Sequence, residues 1–270
     1  MNFLKKLNQT IKKNNSLLCI GLDTDISKIP KRFLTMSDPV FAFNKWLIDH
    51  TYNLVCAYKP DTAFYEADGI EGLKSLKKTI EYIPKDIPII LDAKRGSVGH
   101  TAEMYAKSVF DYWKADAVTL HIFTGKDGVE PFLAYKSKYS FLYIRSSNPS
   151  ASDFQDIDVN GKPFYQVMAR KISEWKGDNF GIIAPATYPK ELGILRKIFK
   201  DRFFLVPGIG AQGGNLEKTL KAGLTKEKSG LTPKNSGLII SSSRSIIYSN
   251  NPKKKAQELQ EAINRCRNEK

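Results

Sequence analysis

Eight short apolar runs, rich in β-branched residues and separated by helix-length stretches, govern what this chain can fold into. They are LLCIGLD (17–23), LVCAYKP (54–60), IPIILDAK (87–94), AVTLHIF (117–123), FLYIRSS (141–147), FGIIAPA (180–186), FFLVPGI (203–209) and GLIISSS (237–243). The runs are nearly continuous in apolar character and do not alternate with polar residues. Parallel strands covered on both faces read this way. Each gap can hold the crossover helix that parallel neighbours require. Residues 101–114, 162–175 and 252–265 show helical periodicity, and the opening MNFLKKLNQTIKKNN places Phe3, Leu4, Leu7 and Ile11 on one helical face. An open doubly wound sheet is the alternative architecture. Eight regular units favour closure into a (β/α)8 TIM barrel, one domain over residues 1–270, close to the ~250 residues such a barrel takes.

Composition excludes several classes. No apolar run approaches the ~20 residues of a membrane helix, and the N-terminus lacks the apolar core of a signal peptide. Cys19, Cys56 and Cys266 are scattered and odd in number, with neither disulfide nor metal spacing. A reducing cytoplasm is the simplest setting. The formal charge of +14 suits either an anionic ligand or a lysine-rich solvated surface. The lysines are spread along the chain, with no aromatic-interleaved basic stripe, so nucleic-acid binding is not expected.

Barrel active sites gather at the C-terminal ends of the strands. The polar residues there are Asp23, Lys59, Asp92 with Lys94, His121, Ser146 with Ser147, Thr187, Gln212 and Arg244. Asp92 and Lys94 are two apart at a strand end, so strand alternation points both into the mouth. Lys59, ending the second run, would lie beside them. Such a Lys–Asp–Lys array suits either chemistry or an ordinary salt-bridge cluster. His121 reads as either a site-edge residue or, as the simpler reading, a satisfied strand-end histidine. The turn-rich segment 148–161 is a candidate mobile active-site loop.

The segment LDAKRGSVGHTAEMYAKS (91–108) resembles the D-x-K-x-x-D signature of orotidine monophosphate decarboxylases, in the bacterial form DAKRGDIG-x-TA. The resemblance covers nearly the whole chain. GLDTD (21–25), YKPDTAFYEADG (58–69), ADAVTL (115–120), GKDGVEPFL (125–133), SSNPSASDFQD (146–156), APATYPKEL (184–192), VPGIGAQGG (206–214) and SSSRSIIYS (241–249) match in order. It implies decarboxylation of orotidine 5'-monophosphate to UMP in pyrimidine biosynthesis, by a homodimer with shared sites and without metal or organic cofactor. Lys94 would stabilise and protonate the C6 carbanion, Asp92 would face the substrate carboxylate, and Lys59 would orient the array and bond the sugar. Asp23 would bind the ribose hydroxyls and Ser147 the pyrimidine. Gln212, Gly213 and Arg244 would hold the 5'-phosphate, and Thr101 would reach the neighbouring subunit's ribose.

One position departs from the signature. Its second aspartate, which the partner subunit supplies in the family, is Ser97 here. A serine retains hydrogen bonding but loses a charge. The expected array is then Lys59, Asp92 and Lys94, with two amines sharing one carboxylate and their pKa values lowered. Asp127, Asp153 and Asp156 are possible substitutes, and spacing singles out none. Three functions stay open on these residues: an active decarboxylase, a nucleotide-binding protein impaired by Ser97, and a phosphosugar decarboxylase or aldolase with the same pattern.

Overall fold

The computed structural model describes residues 1–225 and 236–268. Eight parallel strands alternate with helices in a (β/α)8 barrel: β1 (Leu18–Leu22), β2 (Ala57–Pro60), β3 (Ile90–Arg95), β4 (Ala117–Leu120), β5 (Tyr139–Tyr143), β6 (Phe180–Ile183), β7 (Phe204–Val206) and β8 (Leu238–Ser242). Their order round the sheet is β2-β1-β8-β7-β6-β5-β4-β3. The remaining seam, β2 to β3, is closed only by the isolated parallel bridges Tyr58↔Ile89 and Asp61↔Asp92.

Each of the eight apolar runs overlaps one strand, with β3 ending one residue past its run and β5 starting two residues before its own, and burial explains why they read as continuous. Every residue of β1, β2, β4, β6, β7 and β8 is buried. Helices cover one face and the barrel interior fills the other, so neither face tolerates a polar repeat. The strands are shorter than the runs. His121–Phe123, Ile144–Ser147 and Ala184–Ala186 lie beyond the ends of their strands. The backbone diverges there because each strand must turn back to its helix.

The opening helix Phe3–Asn14 buries Phe3, Leu7 and Ile11, while Leu4 packs partly buried against the core. Phe3 stacks on Tyr139 with ring centroids 4.9 Å apart and meets Phe141 edge-on at 5.9 Å. The segment after β3 forms the helix Gly99–Lys107, continued by a π-helical turn at Ser108–Tyr112. Helices Phe164–Ser173 and Pro252–Asn268 fall on the other two periodic segments. Cys19 and Cys56 are buried and all three cysteines are free thiols. Among the described residues no helix is long and apolar enough to cross a membrane.

Candidate active site

A cavity of about 550 Å³ opens at the C-terminal ends of the strands. That volume lies within the usual range for small-molecule sites. Asp23, Lys59, Asp92, Lys94, Ser146, Ser147, Thr187, Gln212 and Arg244 all line it, from the C-terminal parts of the strands and the loops that follow them. His121 is not in the lining; its ring stacks on Tyr143 at 5.0 Å.

The charged groups form a chain of alternating sign. Lys59 Nζ lies 3.7 Å from Asp23 and 2.7 Å from Asp92. Lys94 Nζ lies 2.9 Å from the other Asp92 oxygen and 2.9 Å from Asp61. Thr119 donates its hydroxyl to Asp92 at 2.8 Å and accepts the Lys94 backbone N–H at 3.1 Å. Lys59 and Asp92 are 5% and 6% exposed, so these charges persist only because they are paired.

The array differs from the expected one in membership and in electrostatics. Asp61 belongs to it and was not foreseen. Neither lysine is lowered in pKa. Burial favours the neutral amines, but Asp23, Asp92 and Asp61 outweigh it at Lys59, and Asp92, Tyr143 and Asp61 do so at Lys94; both are held above the ordinary value. Burial likewise penalises ionised Asp92, and the two ammoniums beside it reverse that, holding its carboxyl below the usual range. Asp61 moves the other way. Its burial and the neighbouring Asp92 charge raise its pKa against the pull of Lys59 and Lys94. The three carboxylates weighed as substitutes do not line the cavity. Asp127 and Asp153 are exposed, and Asp156 pairs with Arg145 at 2.9 Å.

Lys94 reaches Asp92 by an unexpected route. Its backbone is left-handed, with φ of 48°, and the β3–β4 register shifts between Leu91 and Arg95. Strand alternation therefore does not set its direction; a kink does. Left-handed backbone at a non-glycine residue costs on the order of 1–2 kcal/mol.

Opposite the array, the loop after β7 and the end of β8 bring Gln212 and Arg244 to the same cavity. Arg244 makes no salt bridge among the described residues. Gly210, with φ of 93°, lets the loop pass close to Ser245, whose Oγ would be 2.5 Å from a Cβ. Gly213 is not in the lining, and its N–H donates to the Gly210 carbonyl at 3.0 Å. Ser97 and Thr101 also lie outside the lining. Ser97 is half-buried; a Cβ on Gly128 would fall 2.7 Å from its carbonyl. Thr101 is exposed on the helix Gly99–Lys107.

Two further lining residues had escaped notice. Tyr143 stands beside the lysines, its hydroxyl pushed up to about 12 by burial and by Asp92. Arg145 donates to Gln155 and Asp156, each at 2.9 Å, and lies 4.6 Å over the Tyr188 ring. Ser146 N–H also donates to Gln155 at 2.9 Å. The segment expected to be a mobile loop is thus tied to the mouth in this structure, and it contains a 3-10 turn at Pro149–Ala151 and a short helix at Ser152–Gln155. Among the described residues no group of three or more His, Cys, Asp or Glu side chains is arranged to hold a metal ion.

Many known proteins are similar to this chain. An orotidine 5'-phosphate decarboxylase from Cellvibrio japonicus is 45% identical over 258 residues, covering 93% of this chain and 91% of that protein. One from Thermomicrobium roseum is 40% identical, covering 100% and 97%. The structure of Leishmania donovani OMP decarboxylase superposes with a TM-score of 0.87 at 35% identity, covering 99% of both chains. The model of the family described as orotidine 5'-phosphate decarboxylase / HUMPS matches residues 16–259. With a match of that extent, joined to a barrel mouth carrying alternating lysines and carboxylates, the chain belongs to the orotidine 5'-phosphate decarboxylase / HUMPS family.

Proposed function

We propose that this chain is a carbon–carbon lyase that decarboxylates orotidine 5'-monophosphate to UMP. The observation that carries the reading is the Lys94 ammonium, held protonated at the cavity mouth between Asp92 and Asp61 at 2.9 Å from each. In the reaction the bond from C6 to the carboxylate breaks and its electron pair stays on a ring carbon with little delocalisation. A preorganised cation at that carbon stabilises the developing charge without reorganisation. Lys94 then transfers a proton from Nζ to C6, CO2 departs, and the amine regains a proton from solvent. Asp92 faces the substrate carboxylate, and Lys59 bonds the sugar and fixes Asp92.

The rest of the cavity fits the remainder of the nucleotide. Among the described residues Asp23 Oδ1 is buried without a hydrogen-bond partner, as an acceptor for ribose hydroxyls would be. Ser147 contacts the pyrimidine. Gln212 and the fork of Arg244, which makes no salt bridge among the described residues, hold the 5'-phosphate, in keeping with the phosphate sites that recur after strands seven and eight of barrels. The test is the loss of the substrate's ultraviolet absorbance with matching CO2 release. Multiple turnovers by the unaltered protein are expected. No loss with enzyme in excess of substrate would overturn the reading, and a metal-dependent turnover of a ketose phosphate instead would favour the phosphosugar chemistry.

The reading includes a cytoplasmic homodimer. Thr101 is flanked along its helix by apolar side chains that water would otherwise cover, with Val98 69% and Met104 46% exposed. Thr101 from one subunit reaches the ribose of the other's ligand. Sedimentation at micromolar concentration is expected to give a dimer. A monomer of undiminished activity would exclude the shared site.

A further inference from the structure

The decarboxylase signature that residues 92–97 resemble ends in a carboxylate contributed across a subunit interface, and this chain carries Ser97 there. The cluster is nevertheless not short of anions. Reading round the mouth, Asp23, Lys59, Asp92, Lys94 and Asp61 alternate in sign, and each ammonium stands between two carboxylates. We propose that Asp61 is the positioning residue that takes the place of the missing signature carboxylate, so that the charge array is completed within one chain. The proposal rests on the decarboxylase reading and adds a role to that site.

Three observations support it. First, Asp61 is aimed at the reacting amine from a fixed base. It follows β2 directly, pairs with Asp92 across the barrel seam, and caps the helix Thr62–Glu66 through Oδ1, which accepts from Ala63 N–H at 3.2 Å. Oδ2 is left for Lys94 at 2.9 Å. Second, capping alone does not need a charge. Asparagine or serine caps a helix as well as aspartate does, whereas a carboxylate beside Asp92 incurs repulsion and desolvation that only a cation offsets. Its side chain is 16% exposed, so water screens that repulsion little. Third, the placement answers the chemistry. An ammonium flanked by two fixed carboxylates is confined to one position and kept charged, as a proton donor to C6 must be.

The test pairs a conservative replacement with restoration of the lost signature. Asp61→Asn keeps the volume and the helix cap, and removes the charge. Its kcat on orotidine 5'-monophosphate is expected to fall about 10²-fold, while KM and UMP affinity stay within about five-fold, the split that marks an interaction made in the transition state. Adding Ser97→Asp to Asp61→Asn is expected to recover at least about ten-fold of that loss, because it returns a carboxylate to the array from the partner subunit. Ser97→Asp alone is expected to give no gain, since no anion is lacking.

A readout without turnover keeps this inference separable from the decarboxylase reading. In protein labelled with ¹⁵N-lysine, the Lys94 Nζ resonance, identified by its absence in Lys94→Arg, should titrate about one pH unit lower in Asp61→Asn than in the unaltered chain. If the unaltered protein turns over nothing, the functional reading fails, and that titration still decides whether Asp61 holds the ammonium. Unchanged kcat and an unchanged Lys94 titration in Asp61→Asn would overturn the role of Asp61. A loss in Asp61→Asn that Ser97→Asp leaves uncorrected would overturn the claim that it stands in for the signature carboxylate.

Discussion

Lys94→Ala is expected to lower kcat on orotidine 5'-monophosphate by on the order of 10⁴-fold or more, because one substitution removes both the cation that meets the developing charge and the proton donor. UMP binding should remain measurable, since Asp23, Gln212 and Arg244 are untouched and all line the cavity. The substitution also leaves Asp92 and Asp61 facing one another without the ammonium that lay 2.9 Å from each. Two carboxylates so placed cannot both stay ionised easily, and Asp61, already raised, is the one expected to take a proton. Folding should therefore be checked by circular dichroism. Turnover within about ten-fold of the unaltered protein would show that another group delivers the proton. The pH dependence has a definite sign. A lysine held above its ordinary value stays protonated into more alkaline solution, so the alkaline fall in rate due to Lys94 should begin above the usual lysine range.

Arg244→Ala is expected to reduce kcat/KM by about 10² to 10³-fold, from loss of charge-assisted, bidentate contact with the 5'-phosphate. Because the phosphate lies far from C6, its binding energy supports the chemistry at a distance, and part of the loss should fall on kcat. The control is orotidine, which lacks the phosphate. On that substrate Arg244→Ala and the unaltered protein should react at equal, low rates. An equal proportional loss on both substrates would show that Arg244 acts on the barrel and not on phosphate.

The sequence carried the architecture because the barrel is repetitive. Each strand is buried on both sides, so each leaves the same uninterrupted apolar run, and eight of them in order define closure. Run ends were less legible. Residues such as Ser146 and Ser147 line the mouth beyond the end of their strand. Most of the site was legible for a related reason: a polar residue ending an apolar run is costly unless it is used. Asp61 was missed by a boundary. Its run was closed at Pro60, although Lys59 and Asp61 have the same spacing as Asp92 and Lys94. The next residues, Thr62 and Ala63, also make Asp61 look like a helix cap, which it is as well. Arg145 and Tyr143 were hidden for another reason, since their importance depends on partners ten or more residues away or across the mouth.

The left-handed backbone at Lys94 has a bearing on how such a protein can be improved. Glycine or asparagine would adopt that conformation more comfortably than lysine. Selection for heat resistance alone, blind to turnover, would thus push this position away from the residue the chemistry needs. Robustness and catalysis compete at a single α-carbon, and the surrounding structure has to hold the strained conformation in place.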